Sequence, residues 1–564
     1  MFKKTKYTLI CLLAIMLTVL AFTACKSEHT PSDEPDDPSG SIQRPEENDP
    51  DHVHTTGDVV VEDKVEATCK SEGSYYEVLY CTECNKAISK KKVTTDKLSQ
   101  HTYANGTCTV CGETQKFSEG LAYEEVLGKC IVTGIGSCKD TDIVIPEEYN
   151  GKPVVGIKEE AFYWRTNLKS IIIPDSVTSI GNSAFYRCEQ LTSISIPNGV
   201  TSIGEYTFSY CYSLASIDMS DNIKSIGKSA FENCHCLTSI DIPNTVANID
   251  SNAFEGCNSL TSIEIPSGVT SIGSHAFSGC SNLTGVVINN GVTSIGWGTF
   301  SECTKLSSIV IPASVTSVEE WAFYGCIGLI SVEIGNSVAS IANLAFSNCY
   351  KLVEVINKSS LDIIAGSSDY GEIAYYAQVV HDGESVIRNI DDYLFITSDG
   401  VNYLLGYIGR DATFELPKNF NGENYSIYKY AFSHCYELTN ISIPNSVTSI
   451  GDSAFSYCTM TDITIPDSVT YLGDRAFEHC GQLTSIVIGS GVTSIGKETF
   501  SWCNSLKSII ISKSVTNIGE SAFFLCDNLT MIAYTGAESE WKKIEIDDSN
   551  YSLTSATILY NYTE

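Results

Sequence analysis

Hydrophobic residues recur along this chain with a period of 23 residues. The stretch AFYRCEQLTSISIPNGVTSI, from Ala184 to Ile203, shows most of one unit. Its phenylalanine returns every 23 residues from Phe162 to Phe346, and again from Phe432 to Phe523 with one step of 22. Periods of 20–50 residues are typical of solenoids, in which each repeat forms one coil and stacks on the next.

Each unit predicts the same short elements. Ile194 and Ile196 alternate with outward residues, as in a strand, and Pro197 ends the strand because proline cannot donate to a sheet. The VTSIG segment predicts a second short extended piece. In AFxxCxxL, the Ala, Phe, Cys and Leu spacing suits one inward-facing helical or 3-10 turn. The predicted fold is a β-rich leucine-rich repeat solenoid with a small N-terminal cysteine-rich module.

Thirteen of the 23 cysteines follow a repeat phenylalanine by three residues, from Cys188 to Cys526. Coils stacked about 5 Å apart would bring their Cα atoms within bridging range. Side chains in a parallel stack point the same way, however, and this fits the disulfide torsion poorly. We therefore predict a column of small buried thiols rather than a row of disulfides.

The consensus LxxIxIPxxVTSIGxxAFxxC resembles the BspA-type leucine-rich repeat of bacterial surface proteins. The resemblance extends from roughly Gly120 to the end of the chain and over fourteen phenylalanines. It implies a cell-surface protein that mediates adhesion or protein–protein interaction, and it implies no catalytic residues.

The pattern divides the chain into eight segments. Residues 353–430 are interpreted as irregular repeats, with an inserted domain as the alternative. The predicted segments are a lipoprotein signal peptide (1–24), a disordered acidic tether rich in Pro and Ser (25–58), the cysteine-rich module (59–115), an N-terminal capping repeat (116–160), regular repeats (161–352), the irregular repeats (353–430), further regular repeats (431–530) and a C-terminal cap (531–564).

The first residues predict export and lipid anchoring. Lysines precede an apolar run from Leu9 to Leu20, which is too short for a comfortable membrane span. The run ends in FTAC, which resembles a bacterial lipobox with Cys25 as the acylated residue, although Phe22 departs from the usual leucine. Simple secretion, with Cys25 incidental, is the alternative.

The module at 59–115 contains two C-x2-C pairs: Cys81 with Cys84, and Cys108 with Cys111. Two such pairs match the spacing of a zinc ribbon, in which four thiolates hold a structural Zn²⁺. Disulfides are the alternative, because an exported protein occupies an oxidising compartment. A site with four thiolates would have no open position for a substrate.

A net charge of −33 argues against binding nucleic acid or an anionic membrane surface through the protein face, since both require a basic patch. No known catalytic motif appears, and the histidines are predicted to be scattered without recurrent spacing. No cofactor is required. A catalytic site assembled across coils is the third functional hypothesis.

The residue between the paired isoleucines is predicted to face solvent, and three consecutive coils place a carboxylate there. Asp218, Asp241 and Glu264 would lie about 5 Å apart. We interpret them as a weak Ca²⁺ site or an acidic docking strip. The alternative is an ordinary solvated acidic face.

Aromatic residues are concentrated in the first coils. Exposed tyrosine and tryptophan form contact surfaces for proteins and flat platforms for sugars, and ordinary packing between coils is the alternative. The predicted patch consists of Trp164, Tyr186, Tyr206, Tyr210 and Tyr212.

Together these features predict a non-catalytic, lipid-anchored protein on the bacterial surface. Roughly eighteen coils at about 5 Å each would form a rod about 90 Å long, with an extended face for a host or envelope macromolecule. The alternative partner is a glycan, which the protein would capture and deliver to an enzyme system.

Overall fold

A computed structural model describes residues 56–65, 73–81, 87–95, 103–104, 107–108, 116–409, 413–436 and 438–563. The described part of the N-terminal module contains an antiparallel sheet in the order β1-β2-β3 and a β4-β5 pair. Its strands are β1 (Thr56–Val65), β2 (Gly73–Cys81), β3 (Ala87–Thr95), β4 (Tyr103–Ala104) and β5 (Thr107–Cys108).

A capping unit begins the first solenoid. The β6–β7 hairpin turns at Leu127 and Gly128, which both have positive φ, and β7 then pairs in parallel with β10. A second tight turn, at Asn150 and Gly151, joins β9 to β10. Its strands are β6 (Ala122–Val126), β7 (Lys129–Gly134), β8 (Asp142–Val144), β9 (Glu148–Tyr149) and β10 (Lys152–Ile157).

The coils of the first solenoid stack in parallel at a 23-residue offset, so that Ile194 pairs with Ile217. The predicted solenoid is confirmed. The strand expected around Asp241 does not form, and the sheet is interrupted between β15 and β18. The strands are β11 (Ser170–Ile172), β12 (Ser179–Ile180), β13 (Ser193–Ser195), β14 (Ser202–Ile203), β15 (Ser216–Asp218), β16 (Ser225–Ile226), β17 (Asn248–Ile249), β18 (Ser262–Ile265), β19 (Ser271–Ile272), β20 (Gly285–Ile288), β21 (Ser294–Ile295), β22 (Ser308–Ile311), β23 (Ser317–Val318), β24 (Ser331–Ile334), β25 (Ser340–Ile341), β26 (Glu354–Asn357) and, after a 3-10 turn at Tyr370–Glu372, β27 (Val379–His381).

The second solenoid repeats the design of the first, including its cap. Its hairpin turns at Asp399 and Gly400, and a tight turn follows at Asn421 and Gly422. Both turns have positive φ at both residues, the conformation that suits a two-residue hairpin. The strands are β28 (Arg388–Ile390), β29 (Tyr393–Ser398), β30 (Val401–Tyr407), β31 (Thr413–Glu415), β32 (Tyr425–Ile427), β33 (Asn440–Ser442), β34 (Val447–Ile450), β35 (Asp462–Ile465), β36 (Tyr471–Leu472), β37 (Ser485–Ile488), β38 (Ser494–Ile495), β39 (Ser508–Ile511), β40 (Asn517–Ile518) and β41 (Met531–Tyr534).

The C-terminal cap consists of α1 (Glu538–Trp541), β42 (Glu545–Ile546), α2 (Tyr551–Ser555) and β43 (Thr557–Leu559). Trp541 is buried against Tyr534, with ring centroids 5.1 Å apart. Asn550 is also buried, and its Oδ1 accepts a hydrogen bond from the Phe523 amide at 3.0 Å. The cap therefore covers the apolar end of the stack and satisfies its backbone.

The repeat phenylalanines stack ring on ring through each solenoid. Phe185 and Phe208 have centroids 5.4 Å apart and planes at 2°. The other pairs have centroids 4.9–5.6 Å apart, and Phe500 and Phe523 are tilted by 30°. Each ring is essentially inaccessible to solvent. This spacing agrees with the distance between adjacent strands, so ring stacking and strand pairing favour the same coil separation.

The repeat cysteines form the predicted column, and those with described side chains are free thiols. The Cys211 Sγ donates to the Phe185 carbonyl of the preceding coil at 3.2 Å, and the same contact recurs at Cys257 and Cys503. Burial raises the pKa of the Cys280 thiol to about 12. These side chains therefore act as small apolar residues that also satisfy a carbonyl.

The AFxxC segments form consecutive turns rather than a helix, and we call this side of each solenoid the turn face. Every second amide donates to the carbonyl three residues earlier in the same coil. The amides between those donate to carbonyls of the next coil, always in that direction. In the first coil these donors are Glu160, Phe162 and Trp164, and their acceptors are Asn182, Ala184 and Tyr186, at 2.8–3.0 Å.

The two solenoids meet through residues that break the repeat pattern. The position after each repeat leucine is Thr, Ser or Ala in the coils from Leu191 to Leu306, but it is Ile330 and Val353 in the last two. Both of these side chains are buried in the core of the second solenoid. Lys351 Nζ also donates to the Ala431 carbonyl at 3.1 Å.

A buried carboxylate fixes the segment that follows β27. The Glu354 side chain is inaccessible to solvent and accepts hydrogen bonds from Ser331, Ser385, the Val386 amide and His381. Burial opposes its ionisation, but these hydrogen bonds outweigh burial and lower the Glu354 pKa. The carboxylate therefore holds the 385–386 backbone against β26.

The thiol column predicts a pattern of chemical reactivity. Because only the thiolate is nucleophilic, we expect the fully buried repeat thiols, such as Cys257 and Cys280, to resist iodoacetamide in the folded protein. The half-buried Cys138 and Cys435 should react first and serve as internal controls. Mass spectrometry of alkylated peptides before and after denaturation measures this. Rapid native labelling of Cys257 would contradict the burial of the column.

Candidate interaction surface

Two columns of the turn face have a left-handed backbone in every repeat, two places before and two places after each repeat phenylalanine. The column two places after each phenylalanine carries the exposed ring clusters, and we call it the left-handed column. Such φ values suit glycine and asparagine, and they disfavour other residues by about 1–2 kcal/mol. Its fourteen members, all with φ between 56° and 70°, are Trp164, Arg187, Tyr210, Asn233, Gly256, Gly279, Glu302, Gly325, Asn348, His434, Tyr457, His479, Trp502 and Leu525.

In the second solenoid, four consecutive members of this column form one ring stack. Tyr457 lies between His434 and His479, with centroids 4.6 and 4.4 Å away. Trp502 continues the stack at 5.2 Å from His479 and is 41% exposed. Because the rings lie face to face, their edges rather than their faces are presented to solvent.

The prediction that histidine spacing does not recur is wrong. His434 and His479 are separated by one 23-residue and one 22-residue step, so they occupy the same position two coils apart. The sequence contains a signal for the column, because Gly and Asn fill five of its first nine positions. That preference indicates positive φ and marks the bulky members as exceptions.

In the first solenoid, the left-handed column binds a guanidinium between two rings. Arg187 Cζ lies 4.5 Å from the Trp164 ring centroid and 4.7 Å from that of Tyr210. Trp164 is 51% exposed. Cation–π contacts of this kind offset part of the unfavourable backbone conformation at each of the three positions.

The structure brings four of the five predicted patch residues into one chain of contacts. Tyr186 meets Tyr210 edge to face at 5.7 Å, and Tyr210 meets Tyr212 at 5.9 Å. Tyr212 is buried, as in the packing alternative. Tyr206 lies in a different column, with Lys228 Nζ 5.9 Å from its ring centroid.

The three predicted acidic residues all face solvent. Asp218 accepts a hydrogen bond from Ser195 at 3.0 Å, and Glu264 accepts one from Asn289 at 2.9 Å. Within the described part of the chain, no three His, Cys, Asp or Glu residues are grouped to hold a metal ion. The Ca²⁺ site stays a prediction.

Two predicted sites lie outside the described residues in whole or in part. Cys25 is not described, and neither are Cys84 and Cys111. For Cys81 and Cys108 only the backbone is described, at the end of β2 and in β5. The lipid anchor and the zinc or disulfide alternatives therefore stay predictions.

The ring stack predicts a pH dependence of stability. Burial, then Lys351 and His479, lower the pKa of His434. Below pH 6.5, about the pKa of histidine in the unfolded chain, the unfolded chain therefore binds more protons than the folded one. The free energy of unfolding then decreases as the pH is lowered. We expect His434→Gln to flatten this decrease between about pH 5 and 7 in urea titrations followed by tryptophan fluorescence.

The matched control is His52→Gln in the predicted tether, which should leave the pH profile unchanged. A His434→Gln protein whose unfolding free energy follows the same pH profile as the parent would contradict the assignment.

Among the described residues, no helix is both long and apolar enough to cross a membrane. A comparison with curated proteins finds no match. Among solved structures, a leucine-rich repeat protein from Bacteroides ovatus is 25% identical, with 78% of this chain and 98% of that chain covered and a TM-score of 0.33. A leucine-rich cell surface protein from Faecalibacterium prausnitzii is 26% identical, with 77% and 98% covered and a TM-score of 0.28.

A leucine-rich repeat protein from T. pallidum is 32% identical, with 33% of this chain and 88% of that chain covered and a TM-score of 0.32. The profile of the BspA type leucine-rich repeat region matches six copies, over residues 155–284, 247–375 and 425–549, which is more than half of the sequence. The chain belongs to the BspA-type leucine-rich repeat family.

Proposed function

We propose that this protein is a lipid-anchored, non-catalytic bacterial surface protein whose turn face binds another macromolecule. The observation that supports it is the set of bulky residues at left-handed positions. Trp164, Tyr457, His479 and Trp502 occupy a conformation in which glycine or asparagine would be less strained. Strained, solvent-accessible side chains of this kind are concentrated at binding surfaces.

The ring clusters suit a large partner. Trp164 belongs to the first repeat of the first solenoid, whereas the stack from His434 to Trp502 belongs to the second. Rigid aromatic side chains give contact area with little loss of conformational entropy. Two clusters on one scaffold allow a partner to engage both, which raises avidity without new contacts.

The geometry favours a protein over a glycan as the partner. Sugars bind aromatic side chains through open ring faces, whereas His434, Tyr457 and His479 cover each other's faces. Ring edges with nitrogen and hydroxyl groups suit the mixed polar and apolar surface of a protein. Glycan binding is the second candidate, and it depends mainly on Trp164, the half-exposed ring at the start of its column.

A separate proposal concerns metal ions. Four thiolates at Cys81, Cys84, Cys108 and Cys111 would hold a structural Zn²⁺ in the N-terminal module, with disulfides as the alternative. The strip of Asp218, Asp241 and Glu264 would bind Ca²⁺ only weakly. Neither metal has a role in the proposed binding.

The anchor is tested through Cys25. Because several acyl chains on one residue give stable membrane attachment, we expect the parent protein to sediment with membranes and to enter the detergent phase on Triton X-114 partitioning. Cys25→Ser should move the protein to the soluble fraction without changing the melting of the solenoids. A Cys25→Ser protein that still partitions into detergent would contradict lipidation at this residue.

The binding surface is tested with substitutions that suit the backbone. We expect Tyr457→Asn, His479→Asn and Trp502→Asn together to keep the fold and to weaken capture of host or envelope proteins by at least about tenfold. Quantitative pull-down measures this, beside a glycan array with the same proteins. Trp164→Asn with Tyr210→Asn tests the first solenoid separately.

The matched control is Val287→Asn with Val310→Asn, two strand residues that are 53% and 54% exposed and lie away from the turn face. A partner that binds the column variants normally, but not this control, would place the binding surface on the sheet. Glycan binding abolished by Trp164→Asn would support the second candidate.

A further inference from the structure

The groove at the junction of the two solenoids has one wall made by an unpaired strand edge. It has a volume of about 630 Å³. Strand β27 ends its sheet, and among the described residues no strand pairs with its outer edge. The groove is lined by Ile363, Ile364, Ala365, Gln378, Val379, Val380, His381, Val386 and Thr397.

The lining combines apolar side chains with high exposure to solvent. Ile364 is 61% exposed and Val386 is 44% exposed. Val379 and Val380 in β27 are half-buried, whereas Val355, the partner of Val380 in the preceding coil, is fully buried. Among the described residues no strand pairs with the outer edge of β27, and Val380 keeps part of its apolar surface in water, whereas Val379 packs partly against the core of the second solenoid.

The part of the lining around Val386 is fixed before any ligand arrives. Glu354 accepts hydrogen bonds from the Ser385 hydroxyl and from the Val386 amide, both at 2.7 Å. His381 Nε2 lies 3.3 Å from the same carboxylate, while its Nδ1 accepts from the Gly383 amide at 3.2 Å. A preorganised wall loses little entropy on binding.

We infer that this groove binds an extended, neutral-to-basic segment of a partner protein, which adds to the free edge of β27 as a further parallel or antiparallel strand. An unpaired edge supplies backbone hydrogen bonds, and apolar walls accept alternate side chains of the added strand. This site is separate from the left-handed column, so that either proposal can fail alone.

Charge selects the occupant. Residues 361–388 contain five carboxylates, and Arg388 is the segment's one Lys or Arg. Three of these carboxylates are exposed and lie within two positions of a lining residue: Asp362, Asp382 and Glu384. An acidic segment, including this chain's own acidic tether at 25–58, would be repelled, whereas lysine or arginine at the outward positions of an added strand would be attracted.

The probe is a short fluorescein-labelled peptide of alternating valine and lysine, titrated with the full chain and followed by fluorescence anisotropy. We expect saturable binding that weakens at least about tenfold in Ile364→Asp with Val386→Asp. The control is Val287→Asp with Val310→Asp, whose side chains are similarly exposed on another surface. Binding to the control protein should equal that of the parent.

Backbone addition is tested directly by N-methylation. Successive amides of an extended strand point to opposite sides, so every second amide of an added strand faces β27. One version of the probe is methylated on the odd-numbered amides and the other on the even-numbered amides. We expect one version to lose binding and the other to keep it. Glu354→Gln, which weakens the hold on Ser385 and Val386, should lower the affinity of the parent probe without altering which methylated version binds.

Several outcomes would overturn the inference. Equal binding of both methylated probes would exclude strand addition, and normal binding to the Ile364→Asp, Val386→Asp protein would exclude this groove. Tighter binding of a valine–glutamate peptide would refute the charge argument. If the parent is dimeric and the Ile364→Asp, Val386→Asp protein is monomeric, the occupant is a second copy of this chain.

Discussion

The stacking of one phenylalanine ring on the next is the interaction on which the rest of the structure depends. Rings stack at about 5 Å, and strands pair at nearly the same distance, so both requirements fix one coil separation. The buried repeat thiols donate to the phenylalanine carbonyl of the preceding coil, as Cys211 does to Phe185. Every other column, including the left-handed one, inherits this separation and therefore becomes a stack of neighbouring side chains.

The repeat made the fold predictable, because Phe, Cys, Leu, Ile and Val recur at positions that have one role. Structural features that no recurring residue type marks were not predicted. The second cap between β28 and β32 escaped notice, although the Asn421–Gly422 turn repeats the Asn150–Gly151 turn of the first cap. The ring stack from His434 to Trp502 was missed because its members differ chemically, and their common feature is a backbone angle.

Both proposed binding surfaces lie where the repeat is modified rather than where it is regular. Trp502 and its neighbours depart from the glycine or asparagine that suits their backbone, and among the described residues no strand pairs with the outer edge of β27. The solenoid thus separates stability from recognition. Buried columns tolerate little change in volume, whereas a substitution at Tyr457 or Ile364 leaves the phenylalanine stack intact.

The one-way hydrogen bonds of the turn face give each solenoid two chemically different ends. The first coil presents free carbonyls, and Lys351 Nζ donates to one of them, that of Ala431. The last coil presents amides, which donate to the Gly371 carbonyl in the first solenoid and to the Asp548 carbonyl and the Asn550 side chain in the second. Length can therefore change by whole units while both caps stay the same. The 22-residue step from Phe455 to Phe477 keeps the same direction of hydrogen bonding, because the Tyr457 amide still donates to the Glu478 carbonyl at 2.8 Å. Met460, which follows the shortened loop, is buried. Duplication of one unit would lengthen the rod, shift the distance between the aromatic clusters and leave each cluster unchanged.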